Sequence, residues 1–355
     1  MFKNWRFWLG LVISGGLLVW FMQDIDLAGL ADGFALADYG ILMLFIFPLT
    51  GVYLARIWRW KLMLDSIKPT RFRDAASGTM IGFMANGVLP LRAGELIRPY
   101  IITRNTGIKY SSALATVIFV RLLDGFGVMA IFLFSLFVFP IGGMMKMGLA
   151  IGVGGVYIAA LVMMVLLYRR RDAIARILSA PARLFGKKAR EKAREFFVHF
   201  GDGLHILNHA HRLWGAIALT VAVIVLSIVS YIPVIQAMPF AGETVWFAPA
   251  FTFAYVCLGV VFPSAPGFLG IFEAFAFMGI TTCSPGIEAT WGAAGLSMAK
   301  SFAILIHVTQ VLPYIIVGLI FLLREGVSLG ELVRGRKKVS VDDALEAFDE
   351  DEGEE

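Results

Sequence analysis

The chain has 355 residues, of which 59% are hydrophobic and only 16% are charged, and its mean hydropathy is +0.79. Soluble domains carry roughly 45–50% apolar and about 25% charged residues, so the composition excludes an ordinary soluble protein and favours a polytopic membrane protein. The net charge of +5 does not indicate nucleic-acid binding, because the basic residues flank apolar runs, where they set topology and meet lipid headgroups. The two cysteines and five histidines show no ligand spacing, so we expect no metal and no cofactor.

Long apolar runs predict the membrane spans, since a helix needs about 20 residues to cross a bilayer. The runs are 7–22, about 39–58, 76–90, 112–139, 144–168, 213–238, 245–262, 268–282 and 302–323. The run 7–22 follows Lys3 and Arg6 and has the length of a signal peptide. No small-residue cleavage site follows it, so we interpret it as an uncleaved first span.

The distribution of basic residues orients the chain, because cytoplasmic loops of membrane proteins are rich in Lys and Arg. Segments 56–73, 92–109 and 169–212 are basic and are predicted to be cytoplasmic. Segment 23–38 contains four Asp and no Lys or Arg, and is predicted to be external. The rule places both termini in the cytoplasm. The tail 341–355 has nine acidic residues and no basic ones, which predicts disorder.

Two interrupted apolar regions are predicted to be re-entrant hairpins. Run 76–90 lies between two basic flanks on one side, so we expect it to enter from the cytoplasm and return. Runs 245–262 and 268–282 form the second hairpin, which enters from outside. Both share a Pro-x-x-x-Gly skeleton, which predicts an inverted repeat of the transporter type, although Pro and Gly occur in many membrane helices. The predicted hairpin breakers are Pro90, Gly94, Pro263, Pro266, Gly267 and Gly270.

The predicted fold is therefore an all-α polytopic membrane bundle with two re-entrant broken-helix hairpins. Residues 1–323 form the membrane domain, with repeats at about 39–168 and 213–323. Residues 169–212 form a basic amphipathic loop. Its apolar residues recur at roughly helical spacing, which predicts a cytoplasmic helix that lies on an anionic leaflet. Residues 324–355 form a cytoplasmic tail.

The strongest candidate site is a run of charges every three residues, Arg92, Glu95 and Arg98. Their neighbours are apolar, and ionisable groups at membrane depth are costly and usually functional. The planar fork of Arg suits a phosphate, and Glu95 can hold one Arg in place. A helix N-terminus at Gly94 would also favour an anion. We predict contact with a lipid headgroup; an interfacial basic loop with a structural Arg–Glu pair is the alternative.

Four further ionisable residues are assigned structural or coupling roles. Arg121 and Asp124 have the i,i+3 spacing of an intrahelical ion pair, which would pin the helix to a neighbour. Asp124 as a proton-coupling acid is the alternative. Lys300 and His307 lie two turns apart and face roughly the same way. His307 is predicted to be an interhelical hydrogen bonder, with a proton relay as the alternative.

Glu273 is the only acid in residues 244–287. A lone carboxylate in apolar surroundings needs a cationic partner or stays protonated. Glu273 is assigned to the headgroup site, and a purely structural role stays open. The candidate cations are Arg92, Arg98, Arg121 and Lys300.

The order and spacing of these motifs are similar to those of a known family. The motifs are Arg92-Ala-Gly-Glu95-x-x-Arg98-Pro99, Arg121-Leu-Leu-Asp124, Pro263-x-x-Pro266-Gly267-x-x-Gly270-x-x-Glu273, and His307 with Pro313 and Gly318. From about residue 5 to 325 the chain resembles the lysylphosphatidylglycerol synthase transmembrane region family, also called flippase-like membrane proteins. One departure is Val120, where the family often has an acid, so the charge network there is expected to be smaller.

The resemblance implies a lipid-moving protein of a bacterial or archaeal cytoplasmic membrane. In the bifunctional synthases of the family, a similar region flips an aminoacylated phospholipid made by an attached cytosolic aminoacyltransferase domain. This chain ends after the membrane region, so synthase activity is expected to be absent. The residues themselves show no P-loop, Rossmann or His-Glu-x-x-His signature.

Three functions remain open from the sequence. The leading one is a flippase-like translocase of an anionic phospholipid or a polyprenyl-phosphate-linked lipid, with Arg92, Arg98 and Glu273 along the path. The second is a membrane-embedded glycosyl- or headgroup transferase, which usually needs several acids or a metal. The third is a non-transporting partner that docks a lipid-modifying enzyme through 169–212 or the acidic tail. The expected partners are membrane lipids, such an enzyme or a second copy of the chain, and no nucleic acid.

Overall fold

All regular elements in the part of the chain that the structure describes are helices, which confirms the predicted fold class. The computed structural model describes residues 5–23, 26–89, 92–138, 143–261, 264–328 and 330–331. The helices are α1 Trp5–Met22, α2 Leu27–Ala35, α3 Tyr39–Leu42, α4 Ile46–Leu64, α5 Phe72–Val88, α6 Gly94–Thr106, α7 Tyr110–Val138, α8 Gly143–Arg169, α9 Arg171–Leu178, α10 Lys187–Asp202, α11 Ala210–Gln236, α12 Ala248–Val261, α13 Ile271–Cys283 and α14 Gly286–Glu325. Pro90, Pro263 and the acidic tail 341–355 lie outside the described residues.

Five helical segments in the described residues are long and apolar enough to cross a membrane. They are Tyr39–Leu64, Tyr110–Ile131, Ala210–Gln236, Pro266–Cys283 and Gly286–Glu325. A sixth would result if Val12–Met22 and Leu27–Ala35 formed one span across their 90° bend. The chain is therefore a multi-pass membrane protein.

The acidic segment 23–38 is not a simple loop, because it contains α2. Asp26 accepts hydrogen bonds from the Ala28 and Gly29 amides and caps this helix. Asp38 caps α3 in the same way. Asp is a preferred N-cap residue because its carboxylate satisfies amides that have no partner within the helix. Half of the acids that predicted an external loop are therefore helix caps.

The first hairpin consists of α5 and α6 and is longer than predicted. Segment 92–109, which the sequence assigned to a basic flank, forms its second leg as α6. The two legs approach closely at Gly94, which lies against the Gly82 carbonyl and the Asn86 side chain. A side chain at Gly94 would clash with that carbonyl, so the glycine sets the separation of the two backbones. Gly94 is also the first residue of α6; its role as a hairpin breaker stays a prediction.

The second hairpin consists of α12 and α13 and packs against a long final helix. The sequence predicted a span at 302–323, whereas α14 begins at Gly286 and includes one non-helical residue, Gly292. The C-terminal residue of α14, Glu325, accepts hydrogen bonds from Ser77 Oγ (2.6 Å) and Asn105 Nδ2 (3.2 Å). These contacts bind the end of α14 to both legs of the first hairpin.

The tips of the two hairpins contact each other. The Arg92 guanidinium carbon lies 5.8 Å from the centre of the Phe268 ring. Gly267 lies against the carbonyl of Gly87, near the end of α5. The two helix breaks therefore meet inside the bundle. Their entry from opposite membrane faces, and the inverted repeat, stay predictions.

Segment 169–212 contains two helices, α9 and α10, as the helical spacing of its apolar residues predicts. Phe200 on α10 is buried, and the backbone carbonyl of His199 accepts a hydrogen bond from Ser112 Oγ on α7 (2.8 Å). On α9, Ile177 is 64% exposed. The segment is thus attached to the bundle while some apolar side chains stay uncovered, and its contact with an anionic leaflet stays a prediction.

Hydrogen bonds gather the segments of predicted common topology at two ends of the bundle. At one end, Arg212 Nη1 donates to the carbonyl of Asp65 (2.5 Å), which joins two basic segments. At the other end, the Asp38 amide donates to the carbonyl of Ala237 (2.8 Å), which joins the acidic segment to the end of α11. The assignment of these two ends to opposite sides of the membrane, and the identity of the cytoplasmic end, stay predictions.

Candidate functional site

Charged side chains of α4, α6, α7 and the first hairpin tip converge in one place. We call this group the arginine cluster; its members are Arg56, Arg59, Arg92, Glu95, Arg98, Arg121 and Asp124. Arg98 interacts electrostatically with the three other arginines on α4 and α7 and with Asp124. Arg92 interacts in the same way with Arg121 and Glu95. Five arginines and two carboxylates leave the cluster with a formal charge of +3.

Asp124 pairs with α4 and not with its own helix. Its Oδ1 lies 2.5 Å from Arg59 Nη1, and its Oδ2 lies 3.9 Å from Arg56 Nη1. Arg59 also donates to Thr220 Oγ1 on α11 (2.9 Å). The predicted intrahelical Arg121–Asp124 pair is therefore wrong. The physical reason is burial: the Arg59 side chain is only 1% exposed, and a buried guanidinium needs a carboxylate partner.

Glu95 holds an arginine in place, as predicted, but the arginine belongs to α7. Arg121 Nη2 lies 3.0 Å from Glu95 Oε1, and both side chains are partly exposed. The pair links the first turn of α6 to α7. Neither Arg92 nor Arg98 is the partner, so both keep their charge available for another group.

Arg98 is the most unusual member of the cluster. It is 6% exposed, and its guanidinium carbon lies 3.8 Å from the centre of the Trp60 ring. Its Nε and Nη2 atoms are buried and make no hydrogen bond in the structure. Arg59 Nε is likewise buried and makes no hydrogen bond in the structure. Buried donors without acceptors cost free energy, so the cluster offers donors that an oxygen-rich anion could use.

Glu273 lies at the second hairpin and bonds to His307. Its Oε1 is 2.6 Å from His307 Nδ1, and its Oε2 accepts from the Gly270 amide (2.8 Å). His307 Nε2 lies 2.8 Å from the Gly267 carbonyl, which can only accept, so Nε2 carries a proton. A single proton is then shared between Nδ1 and Oε1. None of the four cations proposed from the sequence is the observed partner of Glu273, because His307 occupies the position next to its carboxylate.

The Glu273–His307 pair fastens the tip of the second hairpin. Gly267, Phe268 and Gly270 all have positive φ angles, of 71°, 62° and 81°. This region costs a residue such as Phe268 on the order of 1–3 kcal/mol and requires support from its surroundings. The carbonyl of Gly267 accepts a hydrogen bond from His307, and the amide of Gly270 donates one to Glu273. The pair therefore supports the backbone at this tip. Pro266 is the first residue of the single 3₁₀ turn Pro266–Phe268 at this tip.

Lys300 stands apart from both groups. Its Nζ donates to the carbonyl of Gln23 (2.5 Å) and lies 5.9 Å from the centre of the Phe277 ring. It therefore ties the end of α1 to α14 and α13. Among the described residues, Lys300 and His307 contact different groups, although the sequence suggested a shared orientation.

A cavity of about 200 Å³ lies beside the arginine cluster, between the two hairpins. Its lining is mainly apolar and aromatic, with Phe83 from the first hairpin and Phe268 and Phe272 from the second. Among the described lining residues, Arg56 is the charged one. Arg56 thus belongs both to the cluster and to the cavity wall.

Arg56, Arg59 and Trp60 are parts of the site that the sequence does not predict. From the sequence, the two arginines are topology signals at the end of the run 39–58. A signal was available, because Trp58, Trp60, Met63 and Leu64 continue the apolar pattern past the arginines. An apolar pattern on both sides of a charge indicates burial rather than a membrane flank.

No metal site is apparent in the described part of the chain, where no three His, Cys, Asp or Glu side chains are grouped to hold an ion. The two cysteines, Cys257 and Cys283, are free thiols. The expectation that the protein uses no metal and no cofactor stays a prediction.

Residues 7–318 match the family described as the lysylphosphatidylglycerol synthase TM region. The chain belongs to this family. The match covers both hairpins, the arginine cluster and the Glu273–His307 pair, and it confirms the resemblance inferred from the motifs. Membership places the protein among membrane proteins related to lipid metabolism. No curated protein and no solved structure matches the chain.

Proposed function

We propose that the protein is a translocase that moves a lipid with an anionic, phosphate-bearing headgroup across the membrane. The observation that carries the proposal is the surplus of charge in the arginine cluster, five guanidinium groups against two carboxylates. Both carboxylates already pair with arginines. The surplus needs a counter-anion, and a lipid headgroup is the anion that a membrane supplies.

Phosphate matches the unused donors of the cluster. Arg98 presents buried Nε and Nη2 atoms without acceptors, and guanidinium groups bind phosphate oxygens through two parallel hydrogen bonds. Charges removed from water cost several kcal/mol each unless they are paired. A bound phosphate would offset that cost, so binding is favoured at this place. In this proposal Arg92 and Arg98 contact the headgroup, and Glu95 orients Arg121.

The position of the cluster favours movement of the lipid over static binding. The cluster adjoins the contact between two helix breaks, where Arg92 meets Phe268. Broken helices inside a membrane protein line cavities or routes for polar groups, since their backbone cannot face lipid. The Glu273–His307 pair positions the second tip in this scheme and does not bind the headgroup. We further propose that the protein resides in a cytoplasmic membrane with both termini inside, and that it moves lipids without chemically altering them.

The test is a reconstitution experiment with labelled lipids. The purified chain is placed in liposomes, and transbilayer movement is measured for phosphatidylglycerol, its aminoacylated form and a polyprenyl phosphate. The variant Arg98→Met removes the unpaired donors, and Arg73→Gln serves as control because Arg73 is an exposed arginine at the start of α5. Movement of one lipid class that Arg98→Met abolishes and Arg73→Gln retains is expected. Absence of movement with folded protein, or equal movement with Arg98→Met, would overturn the proposal.

A further inference from the structure

We infer that the cavity between the hairpins binds the start of a single isoprenoid chain, so that the lipid handled at the arginine cluster is an isoprenoid phosphate. The inference rests on the proposed function and narrows it to one of the two lipid classes that the sequence left open. It follows from the volume, lining and charge of the cavity.

The volume of the cavity favours one chain. At about 200 Å³ it has room for on the order of seven groups of water size, each of which occupies about 30 Å³. Drug-sized ligands need about 300–1,000 Å³. One isoprene unit has five carbon atoms and takes most of this room, so the cavity admits the start of one branched chain.

The lining favours an unsaturated, methyl-branched chain. Seven aromatic side chains contribute to the wall, six of them from six different α-helices and one, Phe268, from the 3₁₀ turn before α13. Tyr53, Phe83 and Tyr314 form a row in which neighbouring ring centres lie 6.4 Å and 6.1 Å apart. Aromatic faces and edges form directional contacts with other flat π systems. Each isoprene unit contributes a flat double bond and a methyl branch, while a saturated acyl chain offers only flexible methylenes.

The charge distribution places the phosphate at one end of the chain. Arg56 lines the cavity and lies 3.9 Å from Asp124, within the arginine cluster. Its guanidinium carbon is 5.3 Å from the centre of the Phe83 ring, so the cation and the aromatic wall are continuous. A chain that enters the cavity from the cluster would therefore leave its phosphate beside Arg56, where the cavity meets the cluster. Polar groups elsewhere on the wall already have partners in part: Tyr53 Oη donates to the Gln310 carbonyl (3.2 Å).

The test measures thermal protection of the full chain in a maltoside detergent, which contains no phosphate. The probes are farnesyl phosphate, dodecyl phosphate, farnesol and glycerol phosphate. Val256→Phe fills the cavity from α12, where Val256 is buried. Val225→Phe makes the same change on the exposed face of α11 and is the matched control.

We expect farnesyl phosphate to give half of its maximal thermal protection at a concentration at least about tenfold lower than glycerol phosphate does. The burial of two methylene groups is enough to supply a factor of that size. It should also bind about threefold or more tightly than dodecyl phosphate because of the aromatic contacts. Val256→Phe should remove the advantage over glycerol phosphate, and Val225→Phe should keep it.

Equal protection by farnesyl and dodecyl phosphate, measured on the unmodified chain, would overturn the isoprenoid assignment. Farnesyl phosphate no better than glycerol phosphate would overturn the chain site while the headgroup site stands. Protection by farnesol alone, with no response to any phosphate, would instead overturn the proposed function together with this inference.

Discussion

Arg98 is deeply buried, and two of its guanidinium nitrogens make no hydrogen bond. Unpaired buried donors lower the stability of the folded protein unless a ligand binds to them. Replacing a buried polar group by an apolar one of similar shape removes this cost of about 1–3 kcal/mol. We therefore predict that Arg98→Met raises the free energy of unfolding in the absence of ligand and abolishes protection by glycerol phosphate. Thermal unfolding with and without the ligand measures both effects.

Arg59→Met provides the contrast for that measurement. Arg59 is the close partner of Asp124, and removing one member of a buried pair costs about 3–5 kcal/mol because the other charge is left uncompensated. A lower stability of Arg98→Met, comparable to that of Arg59→Met, would show that Arg98 has a structural role.

The Glu273–His307 pair makes a second prediction at the residue scale. Each partner depends on the other for its shared proton, so the effects of Glu273→Gln and His307→Gln on stability should not add. A double-mutant cycle should give an interaction free energy of about 1–3 kcal/mol, the range for residues in one hydrogen-bond network. The pair Glu273→Gln with Arg98→Lys is the control, with an interaction near zero. Strict additivity at positions 273 and 307 would contradict the observed contact.

Most residues of the site could be predicted from the sequence, but their partners could not. A charge inside an apolar run is visible in the sequence, which is how Arg98, Asp124 and Glu273 were found. Partner choice depends on which helix packs alongside, and spacing within one helix cannot reveal it. Arg121 and Asp124 have ideal local spacing, yet each pairs with a different helix because Arg59 is buried next to Asp124.

At the scale of elements, the α5–α6 hairpin depends on the close approach at Gly94. A methyl group there would meet the Gly82 carbonyl and the Asn86 side chain, and overpacking of this kind costs about 1–3 kcal/mol. We predict that Gly94→Ala lowers the thermal midpoint of unfolding. Gly155→Ala is the control, since no atom lies within 4 Å of the added methyl group on α8, and the substitution should be neutral or stabilising by up to about 1 kcal/mol. Equal midpoints for the two variants would show that the hairpin legs can separate without cost.

The elements missed by the sequence analysis share a physical cause. The four Asp residues of segment 23–38 predict an external loop, and the basic residues of segment 92–109 predict a cytoplasmic flank, although Arg92, Glu95 and Arg98 in that segment are also the strongest candidate site. In the structure two acids of the first segment are helix caps, and three charges of the second belong to the arginine cluster. Charges that serve capping or pairing look the same in a sequence as charges that face solvent, whereas the long apolar helices have no such ambiguity.

At the scale of the whole molecule, the two ends of the bundle should face opposite sides of the membrane. Single cysteines at Leu36, Ile177 and Trp246, which are all exposed, can be introduced after Cys257 and Cys283 are replaced by alanine. A membrane-impermeant thiol reagent should label positions 36 and 246 from outside in intact cells. Position 177 should react only after the membrane is opened. Labelling of all three from the same side would contradict the predicted topology.

The contacts of α14 have a mechanical consequence. His307 holds the second hairpin and Glu325 holds the first, and Glu325 follows His307 by 18 residues. At 3.6 residues per turn this separation is about five full turns, or about 27 Å, so both attachments lie on the same side of the helix. The helix therefore acts as a strut between the hairpins: a displacement of one tip is transmitted to the other unless the strut bends. Pro313 lies between the two attachments and interrupts the backbone hydrogen bonding, so the coupling of the two hairpins depends on the stiffness of the strut at that residue.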